Sequence, residues 1–193
     1  MLGNGLQMML FLVDHLQMLT KESRKEKARK QKILGNLAED GVIKLFELHK
    51  KPCKNLNEIR HNFPLIDIES DGEHYQVKAR NKFSEDGKLN SCYNICRSSQ
   101  SQSKLKSYNR VLSEQGMPFD KNKLNCITIP YEKDVWCPVY SVPFNDIPNT
   151  QIEEFFNGQP TFIGICMQEK YTSTYSILGY MKIDIETQSV QVK

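Results

Sequence analysis

Several residue patterns that mark common classes of protein are missing from this 193-residue sequence. The six cysteines include no Cys-x-x-Cys pair, and no histidine lies near Cys92 or Cys96, which excludes the usual zinc-ligand spacings. A Ser-His-Asp pattern, a P-loop and a dinucleotide-binding glycine motif are also missing. The longest apolar segment, LQMMLFLVDHLQML, is too short and too polar for a membrane span and lacks a signal peptide's basic leader. We therefore expect a reduced, cytoplasmic protein that has free thiols and no membrane partner.

The charge balance is close to neutral, with 26 Lys and Arg against 23 Asp and Glu, a formal net charge of +3. Hydrophobic residues make up 39% of the chain and charged residues 25%, which is typical of one globular domain with a sizeable core. This composition permits a nucleic-acid partner only if the positive charge is clustered.

Positive charge is indeed clustered in residues 21–32, KESRKEKARKQK, which hold seven basic and two acidic side chains. An amphipathic helix is predicted before this run at 6–20 and a second helix after it at 33–50, closed by Pro52. The run itself is either a solvated helix face or connector, or a surface that contacts phosphates. In the second case the contacts come from Arg24, Lys25, Lys27, Arg29 and Lys30.

The second predicted helix has two different faces. Asp40, Lys44 and Glu47 follow each other at helical steps and mark the side toward water. Glu39 instead shares a stripe with Val42, Ile43 and Phe46, so it should point toward the protein. An inward carboxylate is costly unless a partner compensates it. The alternative is that Glu39 reaches the edge of the protein or meets a lysine.

The period of the pattern changes after residue 53. LIDIESDGEHYQVKAR predicts two strands around an Asp71-Gly72 turn, and NSCYNICR at 90–97 predicts a third. A helix ending near Gly116 and a strand in KLNCITIPY follow. VWCPVYSVPF predicts an edge strand because of its prolines. NTQIEEFF predicts a short helix capped by Asn149 or Thr150, and TFIGICMQ and YSILGYMKIDIE predict closing strands. This order indicates a mixed α/β fold.

The hairpin register places polar residues together. With Asp71 and Gly72 in the turn, Ile68 opposes Tyr75, Asp67 opposes Gln76 and Ile66 opposes Val77. Because strand side chains alternate, Asp67, Gln76 and Lys78 share the face opposite to the apolar one. Glu69 lies on the Asp67 face and Glu73 is a weaker candidate across the turn. The alternative is that this face is simply the solvated side of a ribbon.

Such a cluster has the chemistry of a metal site. The oxygens of Asp67 and Gln76 are of the hard type that Mg²⁺ binds, and Glu39 could complete the set. Lys78 could orient or deprotonate a water, or stabilise negative charge on a phosphate.

An inward helix Glu, then a strand Asp, then a Gln-Val-Lys triplet on the next strand resembles the PD-(D/E)xK nuclease superfamily. The resemblance covers about residues 33–130 and implies a restriction-endonuclease-like mixed sheet flanked by helices, with N-terminal helices. Composition predicts a single domain over 1–193, in which a basic helical segment at 1–32 precedes the nuclease-like core at 33–130 and a β-rich extension at 131–193, outside the resemblance, follows it. Asp67 would be the metal-binding aspartate, Lys78 the catalytic lysine and Glu39 the accessory carboxylate. Gln76 would stand in the second acidic place, where it offers an oxygen without charge, and Ile66 replaces the usual Pro.

The resemblance implies a metal-dependent DNA endonuclease that hydrolyses phosphodiester bonds, as a type II restriction enzyme does. Mg²⁺ or Mn²⁺ would be held by Asp67, Gln76, Glu39 and the Val77 carbonyl. Double-stranded DNA would contact the basic run together with Gln102 and Lys104. Cutting both strands requires two centres, so a homodimer is expected. The alternatives are an inactive nuclease-fold module that binds DNA or protein, and a small α/β inhibitor or immunity protein.

Overall fold

The computed structural model describes residues 3–59, 63–116, 120–148 and 152–193, with side chains from residue 22 onward. One helix, α1 (Gly3–Leu48), contains 46 residues and runs through the basic segment without a break. The prediction of separate N-terminal helices at 6–20 and 33–50 was therefore wrong. The segment 21–32 contains neither glycine nor proline, and Glu26 forms helical ion pairs with Arg29 and Lys30, so nothing in it ends a helix.

The remaining helices are short or of medium length and are interspersed among nine strands of the described ranges. After α1 they are β1 (Lys54–Asn55), α2 (Leu56–Ile59), β2 (Ile68–Ser70), β3 (Glu73–Asn81), β4 (Cys92–Cys96), α3 (Ser101–Glu114), β5 (Leu124–Tyr131), β6 (Cys137–Pro143), α4 (Ile152–Phe156), β7 (Ile163–Cys166), α5 (Glu169–Thr172), β8 (Ser176–Asp184) and β9 (Ser189–Val192). The predicted mixed α/β class is confirmed. Within the described ranges, none of the helices combines the length and the hydropathy that a bilayer crossing requires.

Seven strands form one sheet in the order β1-β2-β3-β5-β6-β8-β9. β3 and β5 run parallel, and the other neighbouring pairs are antiparallel. The connection between the two parallel strands contains β4 and α3, and β4 pairs with β7 in a separate two-stranded sheet. Of the strands after residue 131, β6, β8 and β9 continue the sheet that the earlier strands begin, whereas β7 pairs with β4.

The β2–β3 hairpin has the predicted turn. Asp71 and Gly72 both have positive φ angles, of 53° and 78°, as a type I′ turn requires. Ser70 pairs with Glu73 and Ile68 with Tyr75, in the predicted register. This register fixes which side chains of β3 point to each face of the sheet.

The two faces of the sheet pack against different elements. On one face, α1 buries Leu34, Leu45 and Phe46 in a core that includes Ile68 and Val77. On the other face, α3, β4 and β7 form a second core around Tyr93 and Tyr108. His74 Nδ1 and the Tyr108 hydroxyl hydrogen-bond at 2.9 Å, which shows that the even-numbered residues of β3 face α3. Gln76 and Lys78 consequently lie on the α3 side.

Three smaller expectations have different outcomes. VWCPVYSVPF was predicted at an edge, but β6 lies inside the sheet between β5 and β8. Pro138 and Pro143 stand near the ends of that strand, so its central residues keep their N–H donors. The short helix α4 is confirmed, whereas its predicted caps, Asn149 and Thr150, lie outside the described residues. β9 was not predicted.

A pair of glycine substitutions tests the continuity of α1. A Cβ at Gly35 has no neighbour within 4 Å, so Gly35→Ala should raise the free energy of unfolding by about 0.5–1 kcal/mol, as expected inside a helix. A Cβ at Gly41 lies 2.9 Å from Met181 Cε and 3.0 Å from Val190 Cγ2, so Gly41→Ala should give no gain. Urea unfolding of both variants measures this. A helix that begins only near residue 33 would leave Gly35→Ala without its gain.

Candidate functional site

Asp67 ends the β2–β3 ladder with its side chain. The Asp67 N–H donates to the Tyr75 carbonyl over 2.8 Å, and the Asp67 carbonyl accepts from the Leu56 N–H over 2.9 Å. Its carboxylate oxygen Oδ2 accepts the Val77 N–H over 2.7 Å and also accepts a hydrogen bond from the Gln76 side-chain amide. The carboxylate therefore takes the position of the backbone carbonyl that the next ladder pair would supply.

This arrangement changes the predicted register beyond Ile68. The predicted backbone pairing of Ile66 with Val77 is replaced by the bond to the Asp67 carboxylate. Ile66 is fully buried in the core on the α3 side, not in the α1-side core that holds Val77. Leu65 has a φ of 72°, a left-handed conformation that turns the chain just before it reaches the ladder.

Asp67 and Gln76 open into a cleft of about 1070 Å³ between α1 and α3. Gln76 is only 4% exposed, and Lys78 is half-buried two residues further along β3. The side chains that give this cleft its chemistry are Glu39, Asn57, Asp67, Gln76, Lys78 and Lys104. The structure thus brings together the four residues that the sequence placed in the site.

Glu39 reaches the cleft from α1. It is half-buried, whereas Asp40, Lys44 and Glu47 on the same helix are exposed, as predicted. The Asn57 side-chain amide donates to Glu39 Oε2 over 3.1 Å. Asn57 Oδ1 in turn accepts the Phe63 N–H over 3.1 Å, so Asn57 ties Glu39 to the segment that leads into Asp67.

Two carboxylates of the cleft, Glu39 and Asp67, have raised pKa values. Burial, followed by the charge of Asp67, raises the pKa of Glu39 to about 7, while Asn57 and Lys78 act in the opposite direction. Burial also raises the pKa of Asp67, against the effects of Lys78, the Val77 N–H and Gln76. Two desolvated carboxylates in electrostatic contact are the arrangement that a bound cation would stabilise.

Lys104 supplies a second ammonium to the cleft from α3. Its Nζ donates to the Ile95 carbonyl over 3.1 Å, which holds the side chain against β4. Burial lowers the pKa of Lys104, the Cys96 thiol raises it, and nearby Lys78 lowers it. Gln102, the other predicted contact in this region, is exposed on α3 and does not line the cleft.

The predicted DNA-contacting residues of the basic run are exposed on α1. Lys27 pairs with Glu85 at 2.7 Å, Arg29 with Glu26 at 2.8 Å, and Lys30 with Glu26 at 3.7 Å. Arg24 and Lys25 are exposed as well. Along the part of α1 whose side chains are described, the basic residue that lines the cleft is Lys32.

The two additional acids of the hairpin interact with residues outside the cleft. Glu73 Oε2 accepts a hydrogen bond from the Asn125 amide at 2.8 Å. Burial lowers the pKa of His74, and the charge of Glu69 opposes this shift only in part. Neither residue lines the cleft.

Four further residues line the cleft, although the sequence analysis did not assign them to it: Lys32, Asn57, Ser103 and Ser107. Asn57 lies in α2, a helix of four residues that is too short for a periodic pattern. Among the described residues, no group of three or more His, Cys, Asp and Glu side chains is arranged to hold a metal. Any cation here would therefore need the amide oxygen of Gln76 and a backbone carbonyl beside the two carboxylates.

Comparison with known proteins finds no match: no protein-family model, no curated protein and no solved structure matches this chain. The resemblance to PD-(D/E)xK nucleases consequently depends on its own residues. These are Glu39, Asp67, Gln76 and Lys78, and their common position in one cleft is the basis for the function inferred below.

The raised pKa of Glu39 predicts a pH dependence of stability. Folded Glu39, with a pKa of about 7, keeps its proton up to about that pH, whereas a glutamate of the unfolded chain releases it near the ordinary pKa of 4.5. The stability contributed by the bound proton is present below pH 4.5 and is lost as the pH rises to about 7. Glu39→Gln should remove this loss, so urea unfolding in EDTA should increasingly favour the variant across that interval. Glu47→Gln is the control for charge on the same helix, and parallel curves for Glu39→Gln and wild type would contradict the assignment.

Proposed function

We propose that this chain is a divalent-cation-dependent endodeoxyribonuclease of the PD-(D/E)xK type, with a restriction-endonuclease-like fold. The observation that carries the proposal is the convergence of Glu39, Asp67, Gln76 and Lys78 on one cleft. The parallel pair β3 and β5, joined through α3, supports the fold, because these elements bring Lys78 and Lys104 to the same side of the sheet.

The donor set of the cleft fits Mg²⁺ or Mn²⁺. Asp67 and Glu39 provide carboxylate oxygens, Gln76 an amide oxygen and Val77 a carbonyl, all of which are hard ligands. The Val77 N–H points to Asp67, and the carbonyl of a strand residue points to the same side as its N–H, so this oxygen also faces Asp67. When bound, the cation would polarise the scissile phosphate and stabilise the leaving oxygen.

Two lysines of the cleft supply the positive charges that would act on the attacking water and the phosphate. Lys78 lies on the same face as Gln76 and next to Asp67, where it can orient the attacking water and stabilise charge on the phosphate. Lys104, held by the Ile95 carbonyl, adds a second positive charge on the opposite wall. Ser103 and Ser107 provide hydroxyl donors for phosphate oxygens.

Double-stranded DNA is the proposed substrate, and restriction of foreign DNA is the proposed role. The exposed basic half of α1 supports a polyanionic substrate. Cleavage of both strands would require a second copy of the site, as in a homodimer. The apolar helix predicted at 6–20 is one candidate for the dimer interface, and its side chains lie outside the described residues. A reducing cytoplasmic setting remains our expectation, and the six free thiols agree with it.

The second candidate is a nuclease-like module that binds DNA without cutting it. One contact favours it: the Gln76 amide donates to Asp67 Oδ2, so this uncharged side chain and the Val77 N–H satisfy that oxygen without a cation. In that arrangement the nitrogen, not the oxygen, of the amide is directed at the carboxylate. Such a module would bind duplex DNA in a salt-dependent manner and would show no cleavage with any divalent cation.

Cleavage of supercoiled plasmid in Mg²⁺ or Mn²⁺ distinguishes the two candidates. We expect cleavage by the wild type and a loss of about 100-fold or more in Asp67→Ala and Lys78→Ala, because each removes a group that acts at the phosphate. Lys106→Ala, which removes an exposed lysine from α3, serves as the control and should cut normally. Cleavage that persists in both cleft variants would rule out the proposal, and DNA binding without any cleavage would favour the inactive module.

Gln76→Glu tests the metal site through stability. A third carboxylate beside Asp67 and Glu39 adds buried like charge, so the variant should melt at a lower temperature than wild type in EDTA. Mn²⁺ should bind it about tenfold more tightly and raise its melting temperature more than that of wild type. Gln102→Glu makes the same charge change on an exposed part of α3. Equal responses of the two variants to Mn²⁺ in calorimetry and melting would argue against a cation site at Gln76.

A further inference from the structure

We propose that the basic half of α1 has two distinct faces and that only the one formed by Lys25, Arg29 and Lys32 binds the DNA backbone. This face, here called the cleft-side stripe, would extend the cleft into a track for duplex DNA. The inference builds on the proposed function, because it concerns how the same substrate reaches the same cleft.

The stripe follows from helix geometry. Residues 22–32 are exposed, and among the side chains of α1 that the structure describes the first buried one is Leu34. Lys32, Asn36 and Glu39 line the cleft and therefore mark one side of the helix. Steps of three and then four residues back from Lys32 lead to Arg29 and Lys25, which lie on that same side.

The other basic residues of this segment face an acidic environment. Lys27 and Lys30 line a second cavity, of about 600 Å³, on the sheet side of α1. Its charged walls include six carboxylates: Glu26, Glu85, Glu132, Asp134, Asp184 and Glu186. Lys27 already pairs with Glu85 at 2.7 Å. Phosphates would be repelled from this cavity, because its acids outnumber its lysines.

The surroundings of the cleft-side stripe favour phosphate. Arg29 has one carboxylate partner, Glu26, in an exposed pair of the kind that contributes little and can exchange for a phosphate. From Lys32 the positive charge continues into the cleft through Lys104 and Lys78. The lysines and the arginine of the cleft-side stripe and of the cleft therefore follow one path, and the acids Glu39, Asp40 and Asp67 line only its cleft part.

The length of the path sets the size of the substrate. At a rise of about 1.5 Å per residue, Lys25 lies about 21 Å along the helix from Glu39. At about 3.4 Å per base pair, this corresponds to about six base pairs of duplex beyond the cleft. The surface thus fits a regular double helix that extends past the reacting phosphate on the α1 side.

Two triple variants with the same loss of charge test the proposal. One replaces Lys25, Arg29 and Lys32 by Gln, and the matched control replaces Lys27, Lys30 and Lys133, three lysines of the acidic cavity, by Gln. Gln has nearly the same helix propensity as Lys and Arg, so α1 should persist in both, as circular dichroism can verify. Both carry Lys78→Ala to prevent cleavage, and anisotropy with a labelled 20-base-pair duplex gives the dissociation constant at several salt concentrations.

We expect the stripe variant to bind at least tenfold more weakly than the Lys78→Ala parent and to lose about two to three units of the log–log salt slope. The control should stay within about threefold of the parent. Equal losses in the two triple variants, or a parent that does not bind duplex at low salt, would overturn the inference. Unequal losses together with a wild type that never cleaves would instead reject the nuclease activity and leave the DNA surface in place.

Discussion

The hydrogen bond from the Val77 N–H to the Asp67 carboxylate is the interaction on which the candidate site depends. It replaces the backbone pair that would precede Ile68 in the hairpin. As a result β2 begins at Ile68, and Ile66 packs in the core on the α3 side. The bond also fixes the carboxylate beside Gln76. Because the Asp67 carboxylate takes a place in the hydrogen-bond ladder, the sheet fixes its position in the cleft, although β2 does not extend to Asp67.

Elements that are distant in the sequence then surround this aspartate. α1 contributes Glu39, α2 contributes Asn57 as its support, and α3 contributes Lys104. The result is a cleft in which carboxylates with raised pKa values face ammonium groups across a short distance in a partly desolvated space. Acids and lysines line this cleft in equal number, Glu39, Asp40 and Asp67 against Lys32, Lys78 and Lys104, so it offers carboxylates to a cation and ammonium groups to a phosphate.

The parts of this site that were predictable from the sequence are those set by local rules. The Asp71-Gly72 turn fixes the hairpin register, and the register places Gln76 and Lys78 on one face. The inward position of Glu39 follows from helical spacing. The departure of the chain from the ladder at Asp67 was not predictable, because it depends on a side-chain bond and on the left-handed Leu65. Tertiary contacts likewise decide the approach of Asn57 and the interior position of β6.

A crystal soaked in Mn²⁺ tests the central claim most directly, because the anomalous scattering of manganese locates the ion without reference to activity. The account predicts a single strong peak within bonding distance of Asp67 and Glu39 oxygens, with Gln76 turned so that its amide oxygen faces the ion. A crystal of Asp67→Asn soaked in the same way should lose the peak. A cleft without manganese, in which Gln76 still donates to Asp67, would contradict the claim that these residues form a metal-dependent catalytic site.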